Sequence, residues 1–135
     1  DETVTAQWFQ KAADQGHIKA LYNLGVMYRD GVGVPQDDIK SADYLLKAAD
    51  QGYAPAQFNL GTLYFEGRGV PQDDIKAADY FLKAADQGVA DAQYNIGYMY
   101  YHGRGVAQDT NIAKEWLKKS ANQGFKAAQE TLSAM

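Results

Sequence analysis

The sequence predicts an all-α solenoid of antiparallel helix pairs, with a 36-residue repeat and about eight helices. The phrase GVPQDDIK begins at Gly33 and returns at Gly69, and the related phrase GVAQDTNI begins at Gly105. The phrase KAADQG, which first begins at Lys11, recurs at the same interval. Apolar residues between these phrases follow helical spacing. Repeats of this length are typical of stacked helical units, each of which needs a neighbour to bury its apolar face.

The repeat organises the chain as one domain, residues 1–135. We call the first helix of each unit helix A and the second helix B. Full units are predicted at 17–52, 53–88 and 89–124, with helix B of a partial first unit at 1–16 and part of a last helix A at 125–135. The chain begins at Asp1 without a methionine, which we interpret as a mature or excised piece. Its ends are then either natural caps or cuts in a longer array.

Helix B is expected near 37–51, 73–87 and 109–123. In the second full unit, Asp73 is a plausible N-cap and Gly88 a helix stop. The apolar residues at helical spacing, which we expect to line the buried face, are Ile75, Ala78, Leu82 and Ala85.

Helix A is expected near 18–30, 54–66, 90–102 and 126–134. Pro55 suits the first turn of the second copy, and Gly67 ends it. Its expected buried residues are Ala56, Leu60, Leu63 and Tyr64. A glycine recurs inside this helix at Gly25, Gly61 and Gly97. Because glycine costs about 1 kcal/mol relative to alanine in a helix, its recurrence indicates a close helix crossing.

Composition excludes several classes of partner. Thirteen basic and seventeen acidic side chains give a net charge of -4, which argues against nucleic acid. No run of eighteen apolar residues is present, so we expect no membrane insertion. The absence of cysteine excludes disulfides and thiol chemistry. The compartment is periplasmic or extracellular if a signal peptide has been removed, and cytoplasmic otherwise; the oligomeric state stays open.

Motifs that suggest chemistry have structural explanations. The Gly-x-Gly loops lack the preceding strand and the lysine of a phosphate loop, and adjacent aspartates do not face each other on a helix. His17 and His102 have no second ligand at zinc spacing. Ser41 and Ser120 share repeat columns with alanine, and no serine begins an S-x-x-K motif. We therefore expect no catalytic residue, no metal and no cofactor.

The pattern A-x-x-N-L-G-x-x-Y-x-x-G-x-G-V-x-x-D, followed by A-x-x-[YW]-x-x-K-A-A-x-x-G, resembles the Sel-one-like repeat family. These repeats are similar to tetratricopeptide repeats. The resemblance covers essentially the whole chain, with Ala107 replacing the loop proline and Ser120 replacing an alanine. It implies a right-handed superhelical stack of bacterial type that holds other proteins, with helix A lining a concave groove.

The candidate peptide-binding residues lie on helix A, mostly in columns that change between copies. Positions 22, 26, 29 and 30 share one helical face by their spacing. The candidates are Lys19, Tyr22, Asn23, Val26, Arg29, Asp30, Phe58, Asn59, Thr62, Phe65, Glu66, Asp91, Tyr94, Asn95, Tyr98, Tyr101 and His102. Aromatic residues of this kind offer large contact areas.

Two columns of this set allow two interpretations each. The aromatic column of Tyr22, Phe58 and Tyr94 either faces a ligand or packs between neighbouring A helices. The recurring asparagines either hold a peptide backbone, as the resemblance implies, or bridge adjacent repeats. We expect Phe65, Tyr98 and Tyr101 to be exposed in the groove.

The predicted function is a non-catalytic protein- or peptide-binding scaffold, an adaptor or regulatory module. One alternative is a hydrolase, because some cysteine-rich members of the family have been described as β-lactamases, although this chain lacks their cysteines and a recognisable active-site signature. Another is a designed or recently duplicated scaffold without a dedicated ligand, because the first two full repeats agree at 24 of 36 positions.

Overall fold

The computed structural model describes all 135 residues and contains eight α-helices and no strand, which confirms the predicted fold class. The helices are α1 (Glu2–Asp14), α2 (Ile18–Asp30), α3 (Asp38–Asp50), α4 (Ala54–Glu66), α5 (Asp74–Asp86), α6 (Ala90–His102), α7 (Thr110–Asn122) and α8 (Lys126–Ala134). Even-numbered helices are A and odd-numbered helices are B. The most extensive contacts join each complete helix A to the helix B that follows it. No helix combines the length and the apolar character needed to cross a membrane.

The helix ends follow local capping chemistry. The Asp73 carboxylate accepts a hydrogen bond from the backbone N–H of Lys76 at 3.1 Å, which confirms the predicted N-cap of α5. Asp37 and Asp109 cap α3 and α7 in the same way. At the end of α4, Gly67 adopts a left-handed conformation with φ of 70°, which glycine tolerates best. The repeated motifs therefore fix where helices begin and end.

The buried face of helix B is centred elsewhere than predicted. Ile75 is 72 % exposed and Leu82 is only half-buried, whereas Phe81 is buried. At about 100° per residue, Phe81 lies a third of a turn from Ile75. The centre of the face is made by small residues such as Ala77 and Ala84, which let the helices approach closely. The prediction placed the centre of the buried face wrongly because it relied on the largest aliphatic side chains. Ala78 and Ala85 are nevertheless buried as expected.

The buried face of helix A largely agrees with the prediction. Ala56, Leu60 and Leu63 are buried. Tyr64 is only half-buried, because its ring stacks at the edge of the core on Tyr80 of α5, with centroids 5.9 Å apart.

The same tyrosine stack recurs in the first full unit, where Tyr28 of α2 lies 5.7 Å from Tyr44 of α3. Trp8 of α1 occupies the column of Tyr44, but no tyrosine of a preceding helix lies against it, and it is 68 % exposed. Burial of this aromatic column therefore depends on the helix A that precedes it.

Polar side chains join successive units at recurring places. Two arginine–aspartate pairs, and two hydrogen bonds from glutamine amides to backbone oxygens, each link a unit to the unit before it. They are Arg68–Asp38 at 3.0 Å, Arg104–Asp74 at 3.1 Å, Gln87 to the Gly52 oxygen at 3.0 Å and Gln123 to the Gly88 oxygen at 2.8 Å. These bonds hold each unit in the same register on its neighbour, so equivalent positions of successive A helices lie side by side.

Candidate binding surface on the A helices

All the predicted binding residues have solvent-accessible side chains. The exposed ones are Lys19, Asp30, Glu66, Asp91, Tyr98, Tyr101 and His102. The half-buried ones are Tyr22, Asn23, Val26, Arg29, Phe58, Asn59, Thr62, Phe65, Tyr94 and Asn95. Tyr98 and Tyr101, at 39 % and 43 %, are exposed to an extent that is unusual for large aromatic side chains in this chain.

A first pocket opens between α4 and α6 and has a volume of about 180 Å³. Its lining residues are Thr62, Phe65, Glu66, Phe81, Asn95, Tyr98 and Met99. Phe81 and Met99 are buried and form its apolar base. Glu66, which is exposed, places a carboxylate at its mouth.

A second pocket of about 220 Å³ opens between α6 and α8. It is lined by Tyr94, Tyr98, Tyr101, His102, Leu117 and Thr131. Most of these positions are equivalent to positions that line the first pocket, 36 residues earlier in the chain. Tyr101 replaces Phe65, His102 replaces Glu66, and Thr131 replaces Asn95. Tyr98 lines both pockets and forms the wall between them.

Aromatic and cationic side chains organise both pockets. The His102 ring lies 4.2 Å from the Tyr98 ring and 5.1 Å from the Tyr101 ring, centroid to centroid. In the first pocket, the Arg104 guanidinium lies 4.2 Å from the centre of the Phe65 ring, while its nitrogens bond the Asp74 carboxylate. The pocket walls are therefore held by contacts within the protein.

The first copy of these positions carries an ion pair in place of an aromatic residue. Arg29, in the column of Phe65, donates from Nε to the Asp30 carboxylate at 2.9 Å. This hydrogen bond lowers the pKa of Asp30 below its usual value and raises the pKa of Arg29. Glu66 occupies the column of Asp30, but Phe65 supplies no cation, and Glu66 takes part in none of the five salt bridges of the chain.

The aromatic column of helix A contacts other rings within the fold. Tyr22 packs edge-on against Tyr53 at 5.3 Å, and Phe58 lies 5.9 Å from Phe81. Tyr94 lies 5.3 Å from Phe125. These ring contacts explain why the three residues are half-buried, and they favour packing within the protein over contact with a ligand for this column.

The asparagine column is divided between its two interpretations. Asn59 donates from Nδ2 to the Tyr22 hydroxyl at 3.3 Å and so bridges two repeats. Asn95 has Phe58 in the position equivalent to Tyr22, and phenylalanine offers no acceptor. Its amide lines the first pocket instead, where it is available to a ligand.

Nine predicted residues lie away from the two pockets. Lys19 and Asn23 line a separate, wider depression of about 520 Å³ beside the turn at Gly16. The other seven, which line none of these three cavities, are Tyr22, Val26, Arg29, Asp30, Phe58, Asn59 and Asp91. The prediction treated every variable column alike, whereas the structure gathers mainly the residues of the last two turns of α4 and α6.

Several lining residues were missed by the sequence analysis. Phe81 and Leu117 come from helix B, where no binding residue was predicted, and Thr131 comes from the last, partial helix A. Thr131 shared a column with Asn95, so the repeat alignment contained a signal for it. Phe81 could not be found in this way, because its column is occupied by buried residues in every full unit.

The serines that were considered as nucleophiles have structural contacts. Ser41 is buried and donates from its hydroxyl to the backbone oxygen of Gly25 at 2.7 Å. Ser120 is also buried and donates to the oxygen of Ala90 at 2.8 Å. Both hydroxyls therefore bond helix A to helix B. No group of three histidine, aspartate or glutamate residues lies close enough together to hold a metal ion.

Solved structures with related sequences share this architecture. The chain is 41 % identical to a protective antigen of uropathogenic Escherichia coli that displays an SLR fold, with a TM-score of 0.98, covering 100 % of this chain and 29 % of that one. A Sel1 repeat protein from Oxalobacter formigenes is 36 % identical, with a TM-score of 0.88 over 96 % of this chain and 97 % of that one. Helicobacter pylori cysteine rich protein B is 28 % identical, with a TM-score of 0.72 over 93 % and 96 %.

A curated relative shares a shorter segment. DAP3-binding cell death enhancer 1 of Rattus norvegicus is 49 % identical over 37 residues, which make up 27 % of this chain and 7 % of that protein. The chain thus spans only a small part of that relative. The Sel1 repeat model matches residues 1–17, 18–53, 54–89 and 90–125. With four consecutive matches along nearly all of its length, the chain belongs to the Sel1 repeat family, whose members generally act as scaffolds for protein interactions.

Proposed function

We propose that this chain is a non-catalytic scaffold of bacterial type that binds a partner protein through a peptide segment laid across helices α4, α6 and α8. The observation that carries the proposal is the pair of equivalent pockets on either side of Tyr98, one repeat apart. A rigid stack that repeats a pocket offers regularly spaced anchoring points. Such an arrangement suits a ligand with side chains at regular intervals better than a compact small molecule.

The dimensions agree with an extended peptide. Packed helices lie about 10 Å apart, and an extended chain in the polyproline II conformation advances about 3.1 Å per residue with three residues per turn, so that every third side chain faces the same way. Side chains about three positions apart in a ligand would therefore reach the two pockets. Tyr98 and Tyr101 supply exposed aromatic surface with polar hydroxyl groups, the kind of residue that contributes most to protein interfaces.

Selection of random peptides displayed on phage tests this function. Peptides selected on the parent protein should be synthesised, and their dissociation constants measured by fluorescence polarisation. We expect the double variant Tyr98→Ala/Tyr101→Ala to bind them at least about tenfold more weakly, because aromatic anchors commonly contribute 2 kcal/mol or more each.

The matched control replaces two exposed apolar residues of helix B. Ile39 and Ile75 are each 72 % exposed, and the variant Ile39→Ala/Ile75→Ala should bind the selected peptides as the parent does. If this variant loses binding while the tyrosine variant retains it, the ligand binds the helix B surface and the proposal is wrong.

A further inference from the structure

The chain carries one carboxylate at an apolar pocket without a cation beside it. Asp30 and Glu66 occupy equivalent positions, 36 residues apart. Asp30 is neutralised by Arg29, whose Nε and Nη2 both donate to its carboxylate. In the next unit Phe65 stands in the place of Arg29, and no basic group lies within 4.0 Å of Glu66. The second unit therefore lacks the cation that the first unit supplies.

Two arginines that could approach Glu66 are already engaged elsewhere. Arg68, two residues along the chain, bonds both oxygens of Asp38, at 3.0 and 3.4 Å. Arg104 bonds both oxygens of Asp74, at 3.1 and 3.2 Å, and stacks on Phe65. Its guanidinium is fixed between the carboxylate and the ring. A cation for Glu66 therefore has to come from outside the chain.

The first pocket has the composition that a long basic side chain needs. Its apolar lining of Phe65, Phe81, Tyr98 and Met99 would cover a methylene stem. Aromatic faces attract a cation, and the Glu66 carboxylate at the mouth would form a charge-assisted hydrogen bond with it. The Asn95 amide offers a further acceptor oxygen.

The second pocket lacks this charge. His102 takes the place of Glu66 and packs at a tilt against the Tyr98 ring, and no aspartate or glutamate lines the pocket. Its walls of Tyr94, Tyr101 and Leu117 suit an apolar or aromatic side chain. Two neighbouring pockets of the same surface therefore differ in the side chain that they would accept.

We propose that the ligand is an extended peptide segment in which a lysine or arginine, bound by Glu66 in the first pocket, lies about three residues from a large apolar side chain in the second. This inference rests on the proposed function and specifies its ligand. The net charge of -4 favours a basic segment, because opposite charge speeds and orients association. The spacing follows from the distance between packed helices and from the rise and three-residue turn of a polyproline II segment.

Synthetic peptides test the pairing directly. The probes are fluorescein-labelled octapeptides Gly-Ser-Lys-Ala-Ala-Phe-Ser-Gly and Gly-Ser-Phe-Ala-Ala-Lys-Ser-Gly, since a segment can lie in either direction. The comparison probes replace lysine by norleucine, which keeps the stem and removes the charge. We expect at least one lysine peptide to bind the parent more tightly than its norleucine counterpart, with the difference reduced at high salt.

The variant Glu66→Gln isolates the carboxylate. It should weaken binding of the lysine peptide about tenfold, as expected for the loss of one charge-assisted hydrogen bond, and leave the norleucine peptide unaffected. The matched control is Asp30→Asn, which removes the equivalent carboxylate that Arg29 already neutralises. We expect this control to leave both affinities unchanged.

The outcomes separate this inference from the proposed function. If Glu66→Gln leaves the affinity for the lysine peptide unchanged, or if the norleucine peptide binds as tightly as the lysine peptide, the proposal of a basic side chain in the first pocket is wrong. A third result would also refute the basic side chain: neither lysine peptide binds, although binding of the phage-selected peptides depends on Tyr98 and Tyr101. If selected peptides are insensitive to both tyrosines, the proposed function fails as well.

Discussion

The ring of Phe81 lies so close to Gly61 that a Cβ atom at that glycine would come within 2.8 Å of two ring carbons. Glycine therefore occupies this helix position because α4 and α5 cross with no room for a methyl group. In the same column, a Cβ atom at Gly25 would lie 2.8 Å from Cγ of Leu45. The close crossing that was predicted from three recurring glycines is a feature of the structure.

Replacing Gly61 by leucine should destabilise the protein by about 1–3 kcal/mol, the usual cost of overpacking a core. Phe81 is buried and cannot move aside without disturbing its neighbours. The midpoint of urea unfolding measures the effect. Thr62→Leu, on the same helix but half-buried, is the control and should cost much less. Equal midpoints for parent and Gly61→Leu would refute the close-packing explanation.

Arg104 and Arg68 form a matched pair for measuring one cation–ring contact. Both bridge to an aspartate of the preceding unit, at 3.1 and 3.0 Å, but only Arg104 also stacks on an aromatic ring. Arg68→Gln should cost less than about 1 kcal/mol, as is usual for exposed ion pairs. Arg104→Gln should cost about 0.5–1 kcal/mol more, because the stacking is lost too. Equal losses in urea unfolding would show that the stacking contributes nothing.

Acid should weaken the Arg29–Asp30 pair. The hydrogen bond from Arg29 lowers the pKa of Asp30 in the folded chain, so the pair stabilises the native state above the carboxyl's unfolded pKa. This contribution is lost as the pH falls through the lowered folded value. In Arg29→Gln, the pKa of Asp30 should rise towards its ordinary value, as followed by NMR titration of the carboxyl carbon. Arg68→Gln should shift it less, because Arg68 acts on Asp30 only through a smaller Coulombic attraction; a larger shift with Arg68→Gln would contradict this assignment.

The exposed and the stacked tyrosines should respond differently to truncation. Tyr98→Ala/Tyr101→Ala removes two of the more exposed aromatic side chains of the chain, and the melting temperature should change little. Tyr80→Ala removes a half-buried ring that stacks on Tyr64, and it should lower the melting temperature measurably. Circular dichroism at 222 nm follows both transitions. A double variant that unfolds at the temperature of Tyr80→Ala or below would show that the two tyrosines support the fold.

Local features of this protein were determined by its sequence. The predicted helix A at 18–30 coincides with α2, and the predicted helix B at 73–87 contains α5 with one residue to spare at each end. Caps such as Asp73 and stops such as Gly67 act through bonds and backbone angles within a few residues of themselves. The 36-residue period also predicted the solenoid, because a repeated unit with one apolar face must stack on its own copies.

Tertiary packing alone decided which side chains form the candidate pockets. Phe81 belongs to the buried column of helix B and still forms the base of the first pocket, because α4, α5 and α6 meet there. Asn59 bridges to Tyr22 whereas Asn95 does not, since the partner comes from the preceding unit. Whether Glu66 has a cation beside it likewise depends on which residues the neighbouring helices bring within a few ångströms. Spacing along one helix cannot reveal such distances, because they are set where different units meet.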